Sequence, residues 1–441
     1  MAILQQLLFS VLVAVAIWTF GRKITEIRRN ILLGKEEDLP GQPAERWRNV
    51  FLLALGQKKM FRKPFVALLH LVVYVGFIII NIEVLEIVLD GILGTHRIFS
   101  VPLGNLYPLL INAFECLALL VLLSCVVFLF RRNVLRLSRF SNSELDGWPR
   151  NDANVILVTE IVLMAFFLLM NSADTLLQSR GYGHFGDHLT GDFMVSRHVN
   201  PFLAALSSPS LVIVERAAWW LHILGILAFL NYLPWSKHLH ILLAFPNAYY
   251  ARIKPAGAMT NMKEVQQEVI YSMQPDLIPA GGSAETPKSF GAKDVMDLSW
   301  HNLLDAYSCT ECGRCTAACP ASLTGKSLSP RKIMMDTRDR LEVVGENIRI
   351  NGSFKDDGRS LLGDYIPLEA LRACTTCNAC VQECPVSISP LDIIIQLRRY
   401  LIMEQSNAPQ EWNAMFGNIE NNFAPWKFSP DDRDLWTKDM P

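Results

Sequence analysis

Nothing in the 441-residue sequence resembles a nucleotide-binding glycine loop, a flavin site or a nucleophile–base pair. Net charge is almost absent too. The 41 Lys and Arg residues against 42 Asp and Glu leave a formal −1, which offers no basic face to a nucleic acid and predicts no such partner. Cysteine is missing from most of the chain: eight of the ten fall in two short boxes, and only Cys116 and Cys125 lie elsewhere, in an apolar run. That clustering excludes a secreted disulfide framework, which would spread its cysteines around a small loop-rich domain. It predicts thiols kept as metal ligands on the reducing side of a membrane.

Charge is scarce in the first 250 residues, where five apolar stretches are long enough to span a bilayer: 2–20, 64–82 with an apolar continuation to about 93, 108–130, 153–173 and 217–236. The first has no basic residue before it, and Arg22 and Lys23 after it, so it reads as a retained anchor and not a cleaved leader. Eleven Lys or Arg lie in 21–63 and five in 131–152, but only Arg97 in 94–107 and Arg180 and Arg197 in 178–209. The positive-inside rule then predicts a multi-pass protein of the inner (cytoplasmic) membrane, with its N-terminus outside and everything after the fifth span in the cytoplasm.

Three histidines fall in or beside these spans: His70 in ALLHLVVY, His222 in WWLHILGIL and His240 in LPWSKHLHILL. An imidazole in hydrocarbon is costly, and neutral histidine is a usual ligand of haem iron. Each is therefore either a haem b ligand or a packing residue hydrogen-bonded to a neighbouring carbonyl. On an unbroken helix, His222 and His240 share one face about 27 Å apart, with His238 nearly opposite, toward lipid or solvent. His70 and His240 both lie near the cytoplasmic boundary and are expected to share one haem; His222 is the candidate for a second. The loop residues His184, His188 and His198 read as solvated, and Cys116 and Cys125 as helix-packing residues. Glu83, Glu86, Glu115 and Glu160 lie inside spans, where they either hand protons to a quinone or pair with other charges, Glu83 with Arg216 for example. The outer half, around His222, Glu83 and Glu86, is the expected quinone pocket.

The two boxes read CTECGRCTAACP, Cys309 to Pro320, and CTTCNACVQECP, Cys374 to Pro385. Each follows C-x₂-C-x₂-C-x₃-C-P, the run in which three cysteines hold one [4Fe–4S] cluster and the fourth reaches the other. The expected ligand sets are Cys309, Cys312, Cys315 and Cys384 for one cluster, and Cys374, Cys377, Cys380 and Cys319 for the second. Structural zinc also takes four cysteines, but it pairs two C-x₂-C units without this third and fourth cysteine and proline. Ser329-Pro330 and Ser389-Pro390 read as N-cap and N1 of matching helices, which makes the domain a pseudo-twofold repeat. Composition thus divides the chain into a five-helix transmembrane domain at 1–250, a polar linker at 251–300, a dicluster domain at 301–403 and an aromatic-rich, partner-binding tail at 404–441. The expected fold class is an all-α membrane protein: a five-transmembrane-helix bundle followed by a small cytoplasmic α-helical domain with two [4Fe–4S] clusters.

The histidine surroundings LLH, WWLHILG and KHLHILLAFPN resemble those of the membrane cytochrome b (gamma) subunit of respiratory nitrate reductase. They are still more similar to the related membrane subunits of heterodisulfide reductase and of the sulfite-reduction-associated membrane complex. The dicluster domain resembles the small iron–sulfur subunit of heterodisulfide reductase. The resemblance implies that His70 and His240 share the haem nearer the cytoplasm. It also implies a second histidine ten residues after the first, paired with His222; Ile80 stands at that position. A separate CCG-domain iron–sulfur subunit, or another redox protein, is the implied cytoplasmic partner. The expected function is a membrane-anchored electron-transfer subunit of a quinone-linked oxidoreductase, linking that partner, two [4Fe–4S] clusters, haem b and quinone in the membrane lipid. A haem-free membrane anchor carrying a ferredoxin-like docking module, and an ion-coupled redox subunit, are the alternative readings.

Overall fold

A computed structural model describes residues 2–37, 39, 41–186, 190–191, 193–253, 257–278, 289–427, 429–432 and 434–438. His188 and part of the expected linker lie outside the described residues. Among the described residues there is no β-strand, and five helices are long and apolar enough to cross a membrane. They are α1 (Ala2–Ile31), α2 (Pro64–Leu93), α3 (Tyr107–Asn133), α4 (Trp148–Ser179) and α5 (Ser208–Tyr232). Each packs on its neighbour in sequence, and α1 closes the ring against α5. On α1, Phe9, Val13 and Ala16 recur at helical spacing and are buried, while Leu7, Val11, Val15 and Trp18 are exposed, as suits a face turned to lipid. Phe9 lies against Trp219 and Trp220 at the α1–α5 seam, with ring centroids 5.3 and 5.8 Å away. Bare backbone tightens the next seam: a Cβ on Gly225 would stand 2.6 Å from Leu163 Cδ2.

The helices outrun their apolar cores, and α1 shows why this matters. Its last turn leaves the bundle and enters the C-terminal domain, where Ile27 and Ile31 join a core with Leu298, Leu303, Leu341 and Val344. Asn30 Nδ2 donates to Tyr307 Oη at 3.1 Å. Just beyond, Lys35 N donates to Leu298 O at 2.8 Å, and Trp300 N to Lys35 O at 3.0 Å. The backbones approach so closely at this point that a Cβ on Gly34 would stand 2.6 Å from Trp300 N. The cysteine-rich domain is therefore docked on the bundle through a shared core and does not merely hang from a tether. The expected linker is correspondingly shorter than 251–300: Ala292, Val295 and Leu298 are fully buried in that core, and a helix, Lys263–Met273, interrupts the stretch before it.

The structure corrects the helical phase count from His222 to His240. α5 ends at Tyr232, and two 3₁₀ turns, Leu233–Trp235 and Lys237–Leu239, follow before α6 (His240–Tyr250). Ser236 between those turns is extended, at φ −117° and ψ 150°. Pro234 has no amide hydrogen with which to continue the α-helical ladder, and the tighter turns that replace it rotate every later side chain. His238 consequently turns toward its neighbours and is only partly exposed. Its ring lies 5.6 Å from that of His240 and 5.5 Å from Phe229.

The docked domain is built from α7 (Trp300–Ser308), α8 (Arg314–Ala318), α9 (Pro330–Asn351), α10 (Ala379–Glu383) and α11 (Pro390–Met403), followed by α12 (Gln410–Asn422). Ser329 Oγ accepts from Lys332 N, and Ser389 Oγ from Asp392 N, each at 3.3 Å, so both serines cap their helices ahead of a proline.

Candidate metal centres

The two cysteine boxes fold alike. Glu311 and Thr376 take left-handed backbone at φ 52° and 55°, as do Gly313 and Asn378 at 71° and 62°, and α8 and α10 then start at matching positions. Left-handed conformation is costly for residues other than glycine, and here it turns each loop tightly enough to aim its thiols inward. Cys309, Cys312, Cys315 and Cys384 line one cavity. Cys319, Cys374 and Cys377 line a second, and Cys380 borders both. Each cavity thus takes a sulfur from the other box. Among the described residues no three His, Cys, Asp or Glu side chains close on a single-ion point.

Backbone amides point at the sulfurs: Thr376 N lies 3.4 Å from Cys374 Sγ, and Ile388 N lies 3.3 Å from Cys384 Sγ. Burial first, and neighbouring negative charge second, push the thiols of Cys309, Cys380 and Cys384 up to about 12. Thiols held protonated this way ionise when a cation takes the proton's place, as ligand thiols do on binding metal. The donor set therefore fits iron–sulfur clusters.

The cavities differ in surroundings. Cys377, in the second, is exposed. The first box faces the loops at the end of the helix bundle. Arg314 Nη1 donates to Lys59 O at 3.2 Å, Arg331 Nη1 to Arg139 O at 2.7 Å, and Lys59 Nζ to Ser387 Oγ at 3.2 Å. Glu311 accepts from Lys237 and from Arg338, the latter at 2.9 Å.

Beside this box the structure brings together His70 of α2, His238 and His240, each ring within electrostatic reach of another; Arg314 reaches His70 as well. His70 Nδ1 lies 3.0 Å from Gln57 Oε1, His240 Nδ1 3.0 Å from Lys237 O, and His222 Nδ1 2.9 Å from Leu163 O. An acceptor at Nδ1 keeps the proton there and leaves a lone pair on Nε2, the tautomer a metal-binding imidazole needs. Burial, the largest effect on each, holds His238 and His240 below the ordinary histidine range, His238 down to about 3, so both are neutral at neutral pH. His222 stands apart, against Phe167 at 6.0 Å between ring centroids, fully buried and with no hydrogen-bond partner for Nε2. These imidazoles fit haem ligation. His184 and His198 are exposed, Cys125 is buried, and Cys116 Sγ lies 3.8 Å from Met194 Sδ.

At the far end of the bundle the structure overturns the expected Glu83–Arg216 pair. Arg216 pairs with its neighbour Glu215, and the partner near Glu83, at 3.8 Å, is Arg97. Arg97 is buried, donates from Nε and Nη2 to Asp174 Oδ2 at 3.1 and 3.0 Å, and donates to Asn171 Oδ1 at 2.6 Å. Glu86 accepts from Phe99 N at 2.9 Å and Tyr107 Oη at 2.8 Å. Glu115 accepts from Asn171 Nδ2 at 3.1 Å and Val195 N at 2.8 Å. Glu83 keeps both carboxylate oxygens buried and without a hydrogen bond. Among the described residues, Glu83 and His222 have no partner in common. The sequence signals for this network were the intramembrane acids and a lone arginine in an otherwise uncharged loop.

Residues 308–388, which contain all eight clustered thiols, match the family model for a 4Fe-4S dicluster domain. This segment is a 4Fe-4S dicluster domain. The chain that carries it is a helical membrane protein whose curated relatives are redox proteins. It is 27% identical over its whole length to the Probable iron-sulfur-binding oxidoreductase FadF of Bacillus subtilis (strain 168), and spans 61% of that protein. It is 25% identical over 87% of its length to the EtfAB:quinone oxidoreductase of Syntrophomonas wolfei, spanning 52% of it. Over 34% of its length the chain is 33% identical to the Probable membrane-anchored ferredoxin of Chromohalobacter salexigens, covering 24% of that protein. The chain thus spans less than two thirds of the length of each of these relatives. No solved structure matches it.

Proposed function

We propose that the chain is the membrane-anchored electron-transfer subunit of a quinone-linked oxidoreductase, carrying electrons between a water-soluble partner and membrane quinone. The observation that carries this reading is the juxtaposition of the Cys309 cavity with His240: Lys237 donates to Glu311 of the first box, and its carbonyl accepts from His240 Nδ1 at 3.0 Å. Cys309, Cys312, Cys315 and Cys384 would hold one [4Fe–4S] cluster, Cys319, Cys374, Cys377 and Cys380 the other, and His70 with His240 one haem b. Those groups supply one-electron storage. The chain supplies thiolates, amide donors that favour added negative charge, and imidazoles oriented by Gln57 and Lys237.

The exposed Cys377 side is the proposed face for exchange with the partner, and the exposed Trp412, Phe416 and Ile419 of α12 support a partner-facing role for 404–441. The name of the Syntrophomonas relative supports EtfAB as that partner; the resemblance to heterodisulfide reductase supports a CCG-domain iron–sulfur subunit. The excess of Lys and Arg in 21–63 and 131–152 supports a cytoplasmic dicluster domain and an outer N-terminus. A second haem at His222 has less behind it, because the buried side chain ten residues after His70 is Ile80, which offers no ligand.

Quinone is proposed to react in the outer half, with Glu83 rather than Glu86 exchanging protons, since both oxygens of Glu86 already accept hydrogen bonds. Glu83→Gln should slow quinone-dependent reoxidation about tenfold or more, with cluster and haem content unchanged. Wild-type turnover in that variant would move the quinone pocket elsewhere. The reading as a whole is tested on anaerobically purified protein: about eight iron and eight acid-labile sulfide per chain beyond haem iron, with a low-spin b-type spectrum. Clusters without haem would favour the docking-module alternative.

A further inference from the structure

Lys237 joins the two halves of the proposed electron path. Its side chain is nearly buried, and its ammonium donates to Glu311 Oε2 and to Pro149 O at 2.6 Å, with Asp152 Oδ2 at 3.8 Å. The ammonium thus has two hydrogen-bond acceptors and a second carboxylate nearby, unlike a solvated surface pair. Glu311 lies between Cys309 and Cys312, with left-handed backbone, and its other oxygen takes Arg338 at 2.9 Å. The main chain of Lys237 is tied as firmly: its N–H donates to Asp152 Oδ2 at 3.1 Å, and Ser236 Oγ donates to Asp152 Oδ1 at 2.7 Å. The carbonyl of the same residue accepts from His240 Nδ1 at 3.0 Å. One residue thus holds the loop of the first cysteine box with its side chain and the imidazole of His240 with its backbone.

We propose that Lys237 is a positioning residue that couples the Cys309–Cys312 loop to His240, fixing the orientation and basicity of the imidazole through its carbonyl. The inference rests on His240 being a haem ligand. A ligand's outer hydrogen bond sets how strongly it donates to its metal. Releasing the ammonium frees residues 236–239 to shift, and the carbonyl moves with them. A purely structural salt bridge between domains would leave the electronic properties at His240 untouched.

The test compares wild type, Lys237→Met, Lys237→Arg and Glu311→Gln in the full chain. Readouts are haem content, cluster iron, the low-spin haem electron paramagnetic resonance signal, and the oxidised-to-reduced haem ratio at a fixed ambient potential. The expected result is haem and iron within twofold of wild type, a shifted resonance signal, and at least a threefold change in that ratio for Lys237→Met. Lys237→Arg should restore the wild-type values. Glu311→Gln, which leaves residue 237 intact, should shift the signal the same way, and adding it to Lys237→Met should bring little more. It also serves as the second probe should Lys237→Met fold poorly. A wild-type signal and ratio in both Lys237→Met and Glu311→Gln would overturn the coupling. Wild-type protein without haem would instead overturn the function on which the inference rests.

Discussion

His70→Ala and His240→Ala should each abolish the same low-spin haem spectrum while leaving cluster iron in place. Each ring presents Nε2 with its Nδ1 engaged at 3.0 Å, by Gln57 Oε1 in one case and Lys237 O in the other. Each residue would supply one of the two imidazoles that hold the haem, and alanine offers no ligand in its place. The loss should therefore be nearly complete in both variants, read from the reduced-minus-oxidised spectrum of solubilised membranes. His238 is the internal control. Its ring lies beside the pair, yet among the described hydrogen bonds none orients it, so His238→Ala should retain the haem. Haem lost in His238→Ala and kept in His240→Ala would assign the ligand to His238.

The second large effect concerns the crossed wiring of the dicluster domain. Cys319→Ser should destroy the cluster of the Cys374 loop and spare that of its own loop, because Cys319 lines the cavity of Cys374 and Cys377. Iron should fall from about eight to about four per chain beyond haem, and one of two interacting resonance signals should vanish. Cys384→Ser should do the converse and remove the centre next to the bundle. Damage by Cys319→Ser confined to the Cys309, Cys312 and Cys315 centre would reject crossed ligation.

What could be read from the sequence is what local spacing dictates. The cysteine intervals repeat because each box folds as the same loop, down to left-handed Glu311 and Thr376. Ser329 and Ser389 were legible as caps because a serine before a proline satisfies orphan amides within three residues. Five spans followed from apolar length alone. Two of the missed features depend on distant partners. Ile27, Asn30 and Ile31 look like an ordinary helix end until Leu303 and Tyr307, some 270 residues later, meet them. Arg97 counted only as a loop charge, and what makes it central is the convergence of Glu83, Asn171 and Asp174 from two other helices. The phase of His240 failed for a local reason: a single proline at 234 and two 3₁₀ turns broke the helix on which the count depended.

The central claim is a continuous electron path from the dicluster domain to the membrane, and its most direct test is sequential reduction. Purified protein is mixed anaerobically with a reduced, water-soluble protein donor; cluster resonance signals and the haem band are followed together, and a quinone analogue is then added. Clusters should be reduced first and haem next, and quinone should reoxidise the haem, with the haem step lost in Cys384→Ser. Haem that stays oxidised while both clusters are fully reduced would contradict it.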